Sequence, residues 1–215
     1  MNEALAKTLQ YAVDWLRGSR DYVRIADVLA VAPVPPGTQR LELFFHAVTN
    51  CRGRWMPLEE AEGLRASEEV VASLKVINPN GTRKWSFVVD RSAPITSRIA
   101  DFDEDRLTSC VAVEERLNSG VALPGADRRT ALVMTGEVNI WEHIVASAKA
   151  LGLVVYPDVR WYVLYIRADI GGLPRVIAGR TLTMWLRRMR QAIYELEFAI
   201  DGTTLGTIGV CDRAG

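Results

Sequence analysis

The chain has 215 residues, 49% hydrophobic and 24% charged, enough to bury a real core, and no run approaches the roughly 20 apolar residues that span a bilayer. Lysine and arginine total 26 against 26 aspartate and glutamate, so no global field favours nucleic acid or an anionic surface, and nucleic-acid binding ranks lowest among the function classes. Cys51, Cys110 and Cys211 are odd in number and far apart; this predicts free thiols in a cytoplasmic, reducing compartment rather than a disulfide framework.

In chain order, residues 1–18 predict an amphipathic helix, because Leu5, Leu9, Ala12, Val13 and Leu16 recur at steps of three and four before Gly18. Asp14 interrupts the apolar runs, so the segment does not read as a secretory signal. "YVRIADVLAVA" and "TQRLELFFHAV" read as strands, and "PVPPGT" between them as a loop. "MPLEEAEGLRASEE" is an acidic segment with Pro57 suited to a first helical turn. "VASLKVI" and "RKWSFVVD" flank "NPNGT", a hairpin whose Asn80-Gly81 pair tolerates the positive φ of a tight turn. "FDEDRLTSCVAVEERLNSG" predicts a helix with an acidic opening and Gly120 as its stop. "GVALPGAD" is a loop, and a subdomain division near residues 120–127 is allowed within a single domain of residues 1–215.

"RRTALVM" then predicts a strand and "NIWEHIVASAKALG" a helix, capped by Asn139 with Glu142 three residues on. "VRWYVLYIRADI" is a strand that Gly171-Gly172 turns back. On a helical wheel Leu182, Trp185, Leu186, Met189, Ala192 and Ile193 fall in an arc of roughly 120°, with Arg187, Arg188 and Arg190 on the remainder and only Met184 out of place. Residues 181–193 thus read as an amphipathic helix with a solvated arginine face, on which the arginines are nearly dispensable and Trp185 is core. "YELEFAI" alternates as a strand, and Asp201-Gly202 offers a type I′ turn into "TTLGTIGV".

The pattern predicts an α+β fold, a mainly antiparallel sheet of about six to nine strands with three or four flanking helices. Site signals are sparse. His143 and His46 are the only histidines and the candidate general bases. Arg160, Arg167, Arg175 and Arg180 are candidate anion ligands, since guanidinium matches phosphate and carboxylate bidentately. His46 and Cys51 lie five apart, too few donors for a structural zinc site, so no metal and no cofactor is expected. There is no P-loop, G-x-S-x-G, H-E-x-x-H or G-x-G-x-x-G motif. On this basis the leading expectation is a soluble, non-catalytic module binding a small molecule or a protein partner, without membrane association and with a homo-oligomer allowed. The alternative is a metal-independent enzyme acting on an anionic or aromatic small molecule, with a histidine base and an arginine clamp.

Overall fold

The computed structural model describes residues 11–17, 22–99, 104–116, 123, 125–157 and 161–212. The chain divides into two compact units, residues 1–102 and 103–215.

The first unit holds β1 (Ala12–Val13), β2 (Trp15–Arg17), α1 (Ile25–Ala30), β3 (Arg40–Phe45), β4 (Cys51–Pro57), a 3-10 turn (Leu58–Gly63), β5 (Glu68–Asn78), β6 (Gly81–Pro94) and β7 (Ser97–Ile99). Its sheet runs β1-β4-β6-β5-β3, antiparallel throughout, while β2 and β7 form a separate parallel pair. Leu41, Leu43, Leu74, Val76, Phe87 and Val89 are buried, each contributing about 1.5–3 kcal/mol over its exposed state. Gly53 leaves room for the Phe87 ring, which meets Trp55 edge-on at 5.2 Å.

Two expectations fail in this unit. Residues 12–13 and 15–17 are two strands, not the end of a helix; Val13 pairs with Gly53 and Leu16 with Arg98, and residues 1–10 lie outside those described. "YVRIADVLAVA" holds a helix over Ile25–Ala30, where a strand was expected. Short apolar runs do not separate the two periods, and here burial decides. Asp27 is buried on α1 and accepts from Arg17 Nε at 2.6 Å, and the Trp55 indole donates to the Val28 carbonyl at 3.1 Å.

The second unit holds α2 (Glu104–Ser109), β8 (Ala112–Glu115), β9 (Arg128–Val133), α3 (Ile140–Val155), β10 (Trp161–Asp169), β11 (Thr181–Arg190), β12 (Ile193–Ile200) and β13 (Thr203–Asp212). Its six strands order as β10-β13-β12-β11-β9-β8, with every described pairing antiparallel. Cross-strand register stacks Leu132, Leu182 and Ile200, then Thr130, Met184 and Phe198, then Leu186, Leu196 and Ile208 on one face, all buried. Helix α3 packs against β9 and β11 and also touches α2 and β8.

The expected α+β class with a mainly antiparallel sheet stands. The strand count does not: the two sheets hold five and six strands, with β2 and β7 besides, more than six to nine. The helix expected over 102–120 gives way to α2, and Ala112–Glu115 pairs with β9 as a strand; residues 102–103 and 117–120 lie outside those described.

The largest correction concerns residues 181–193, a strand, a two-residue turn and the start of another strand. Leu182 and Leu186 are four apart, which fits both a helical turn and a two-residue alternation. Met184, the residue that did not fit the helical wheel, is 0% exposed here, because the period is two. Trp185 consequently faces away from Met184 and is half-buried, with the Arg116 guanidinium 4.9 Å over its ring, rather than a core residue of a helix.

The β11–β12 hairpin turns at Gln191 and Ala192, with φ of 47° and 62°. Two consecutive positive φ angles mark a type I′ turn, which favours Asn-Gly because a Cβ is strained there. Ala192→Gly is expected to raise stability by about 0.5–1 kcal/mol, the relieved strain exceeding the added chain entropy. A urea midpoint equal to or below wild type refutes this reading of the turn. The β12–β13 hairpin meets the same demand with Asp201 and Gly202, as its sequence predicts.

Candidate functional site

Between β9 and α3 the chain turns from an exposed segment into a buried polar pair. Residues 135–137 are exposed, residues 138–141 half-buried, and Glu142 and His143 buried. Asn139 caps α3, its side-chain oxygen accepting the Glu142 N–H at 3.1 Å. The first N–H groups, of Ile140 and Trp141, precede the intrahelical ladder at the positive end of a 16-residue helix.

His143, a candidate base, is 0% exposed. Its Nε2 lies 3.1 Å from the Thr135 N–H and its Nδ1 3.0 Å from the Asn139 carbonyl. Burial holds its pKa below the ordinary histidine value, while the Asn139 carbonyl pulls the other way. His46, the other candidate, sits beyond the end of β3 with Nε2 3.1 Å from Ser73 Oγ, in the first unit.

The three described candidate arginines each have different surroundings. Arg180 donates to Asp201 at 2.8 Å, and Arg175 is exposed on the 170–180 segment. Arg167 lies 4.8 Å over the Tyr165 ring, and Arg160 is outside the described residues. The backbone does bring Arg180 near the start of α3: Met134 N–H donates to the Arg180 carbonyl at 2.8 Å, one residue before the Thr135 amide that meets His143.

A second polar cluster, absent from the sequence reading, forms on the sheet face opposite α3. Register places Arg188 beside Glu195, Glu195 beside Gly209, and Gly209 beside Tyr165. Gly209 has no side chain, so the Tyr165 ring lies across it and its hydroxyl donates to Glu195 Oε2 at 2.5 Å. Arg188 grips both carboxylate oxygens, Nε to Oε1 at 2.8 Å and NH2 to Oε2 at 3.0 Å. Arg187 stands farther off, 3.8 Å from Glu195 and 3.5 Å from Glu197. Burial works to raise the Glu195 pKa, but the hydrogen bonds from Arg188 and Tyr165 and the charges of Arg188 and Arg187 outweigh it and hold it below the usual value. Arginines expected as a uniform solvated face therefore divide into one gripping a buried carboxylate and others more loosely held. The glutamate–tyrosine pair was invisible in sequence because residues 165 and 195 meet only through β13.

All three cysteines are free thiols. Among the described residues no group of three or more histidine, cysteine, aspartate or glutamate side chains could hold a metal ion, and no helix is long and apolar enough to cross a membrane.

No protein-family model and no curated protein matches the chain. Solved structures do match in shape. The tesB protein of Mycobacterium avium subsp. paratuberculosis is similar at TM-score 0.47 and 8% identity, over 94% of this chain and 91% of that one. An acyl-CoA thioesterase II from Mycobacterium marinum is similar at TM-score 0.40 and 12% identity, over 86% and 85%. An acyl-ACP thioesterase from Bacteroides thetaiotaomicron is similar at TM-score 0.36 and 10% identity, over 81% and 74%. Where a non-catalytic binding module was expected, the two of these titles that state an activity name enzymes. At such identities they transfer no residue.

Proposed function

We propose that this chain is an enzyme that hydrolyses acyl thioesters, with the opening turn of α3 as its reaction centre. Thioesters are the class printed in the titles of two matched structures; the support within this chain is the arrangement at residues 135–143. The Ile140 and Trp141 amides lie at the positive end of α3, and a carbonyl oxygen placed there gains two donors as negative charge develops on it. Glu142 places a carboxylate in the same turn, suited to take a proton from an attacking water. The water oxygen adds to the carbonyl carbon, the C–S bond breaks, and the proton held by Glu142 passes to the departing thiolate. The products are a carboxylic acid and a thiol. No nucleophilic side chain is required, and no cofactor or metal enters the step.

The test is thiol release from acyl-CoA substrates of graded chain length, followed with a thiol-reactive dye. Wild type is expected to release thiol. Glu142→Gln keeps the side-chain shape and removes the base; it is expected to lose about 10²–10⁴-fold in kcat while circular dichroism stays unchanged. Absence of thiol release across the series, or full activity in Glu142→Gln, overturns the proposal.

A further inference from the structure

Beyond the reaction itself, the geometry points to His143 as a positioning residue, a neutral clamp that fastens the Thr135–Asn139 loop across the start of α3. The functional half of this inference rests on the reading of that turn as the reaction centre; the structural half does not. A backbone N–H can only donate, so the 3.1 Å contact from Thr135 requires an unprotonated Nε2. A carbonyl can only accept, so the 3.0 Å contact to Asn139 places the ring proton on Nδ1. Both ring nitrogens are thereby committed to backbone, one on each side of the loop. The only lone pair a neutral histidine could offer to a substrate proton is already in use.

The clamp closes a short circuit. Thr135 follows β9 and Asn139 caps α3, so a single side chain ties the end of a strand to the beginning of a helix. The residues between, Gly136 to Val138, include two that are exposed. Met134 is pinned from the other side by the Arg180 carbonyl, and its own carbonyl accepts the Gly179 N–H at 2.9 Å. Anchored at Met134, Thr135 and Asn139, the loop presents the Ile140 and Trp141 amides in one fixed direction. A second proton on His143 would put two N–H groups face to face at Nε2 and open the clamp at Thr135. Burial opposes that proton. Of the charged groups on the elements packed against α3, Asp105 pairs with Lys149, Arg129 with Glu114, and Arg187 and Arg188 with Glu195; Glu104, Arg106, Glu115, Arg128 and Arg190 lie on the same elements. The lowering at His143 comes from burial, against the opposing pull of the Asn139 carbonyl.

With only two histidines in the chain, ¹⁵N-histidine labelling of the full-length protein resolves both, and His46→Gln assigns them. The expected result is a His143 that stays in the neutral Nδ1–H form through mildly acidic pH. The Thr135 amide is expected to exchange slowly in wild type and to lose that protection in His143→Leu. A proton on Nε2, a second proton on the His143 ring at mildly acidic pH, or an unprotected Thr135 amide in wild type overturns the clamp. These readouts need no activity and need only the wild-type fold, so they decide the clamp even if thioester hydrolysis fails or His143→Leu does not fold. Where hydrolysis is present and the variant folds, His143→Leu is expected to lower kcat with little change in KM. An unchanged kcat overturns the positioning role while leaving the clamp itself standing on the exchange data.

Discussion

Gly206→Ala is expected to be among the most damaging single-methyl additions in the second unit, lowering its stability by about 3 kcal/mol. Gly206 lies on β13 between Ala168 of β10 and Phe198 of β12. A Cβ there would run into the Arg167 carbonyl oxygen and come within 2.6 Å of Phe198 Cζ. Neither neighbour can retreat cheaply. The carbonyl belongs to the backbone of β10, whose register with β13 is fixed on both sides of the contact. Phe198 is among the largest fully buried side chains, in a core packed like an organic crystal. Gly63→Ala supplies the control, because a Cβ at that position meets nothing within 4 Å; it is expected to stay within about 0.5 kcal/mol of wild type. Urea unfolding of the two variants checks the pair, and equal midpoints would show that β13 does not lie where it is described.

The second large effect is at Tyr165. Tyr165→Phe removes only a hydroxyl, yet it takes a charge-assisted donor from a carboxylate that is 5% exposed. The expected cost is about 1.5–3 kcal/mol. Arg187→Gln is expected to cost no more than about 0.5 kcal/mol, because its side chain is 51% exposed and its contacts with Glu195 and Glu197 are long. Arg188→Gln should be the more damaging of the two arginine changes, since it removes the hydrogen bond to Glu195 Oε2 and the 2.8 Å ion-pair contact at Oε1.

The pH dependence of the cluster follows from the direction of each shift. Glu195 is depressed in the folded state, so its contribution is fully present above the ordinary glutamate pKa and is lost as pH falls through the lower folded value. Tyr165, pushed up to about 12 mainly by burial and then by Glu195, contributes fully below its ordinary value of 10.0 and loses that contribution as pH rises toward 12. The difference between wild type and Tyr165→Phe should accordingly be greatest between those limits and shrink at both ends. A Tyr165→Phe variant no less stable than Arg187→Gln would mean that Glu195 is not buried against it.

Local chemistry made several elements legible in the sequence. Asn139 with Glu142 marks the start of α3, Asn80-Gly81 and Asp201-Gly202 mark hairpins, and the alternation in "YELEFAI" marks β12. In each case the deciding interaction lies within a few residues, so the sequence carries it whole. The strand over Thr181–Arg190 and the helix over Ile25–Ala30 were not legible. A run with apolar residues at i and i+4 satisfies both periods, and what selects between them is a partner distant in the chain: β9 and β12 for the first, Arg17 and Trp55 for the second.

The candidate sites divide the same way. His143 and Arg180 stand out by residue type alone, but that His143 is held by two backbone groups is a fact of the turn between β9 and α3. The Arg188–Glu195–Tyr165 cluster depends on the register of four strands and on the missing side chain of Gly209. Charge balance, free thiols and the antiparallel α+β class are properties of composition and short-range pattern, and the sequence determines them. Which arginine grips a buried carboxylate is decided by long-range pairing, and only the tertiary structure supplies it.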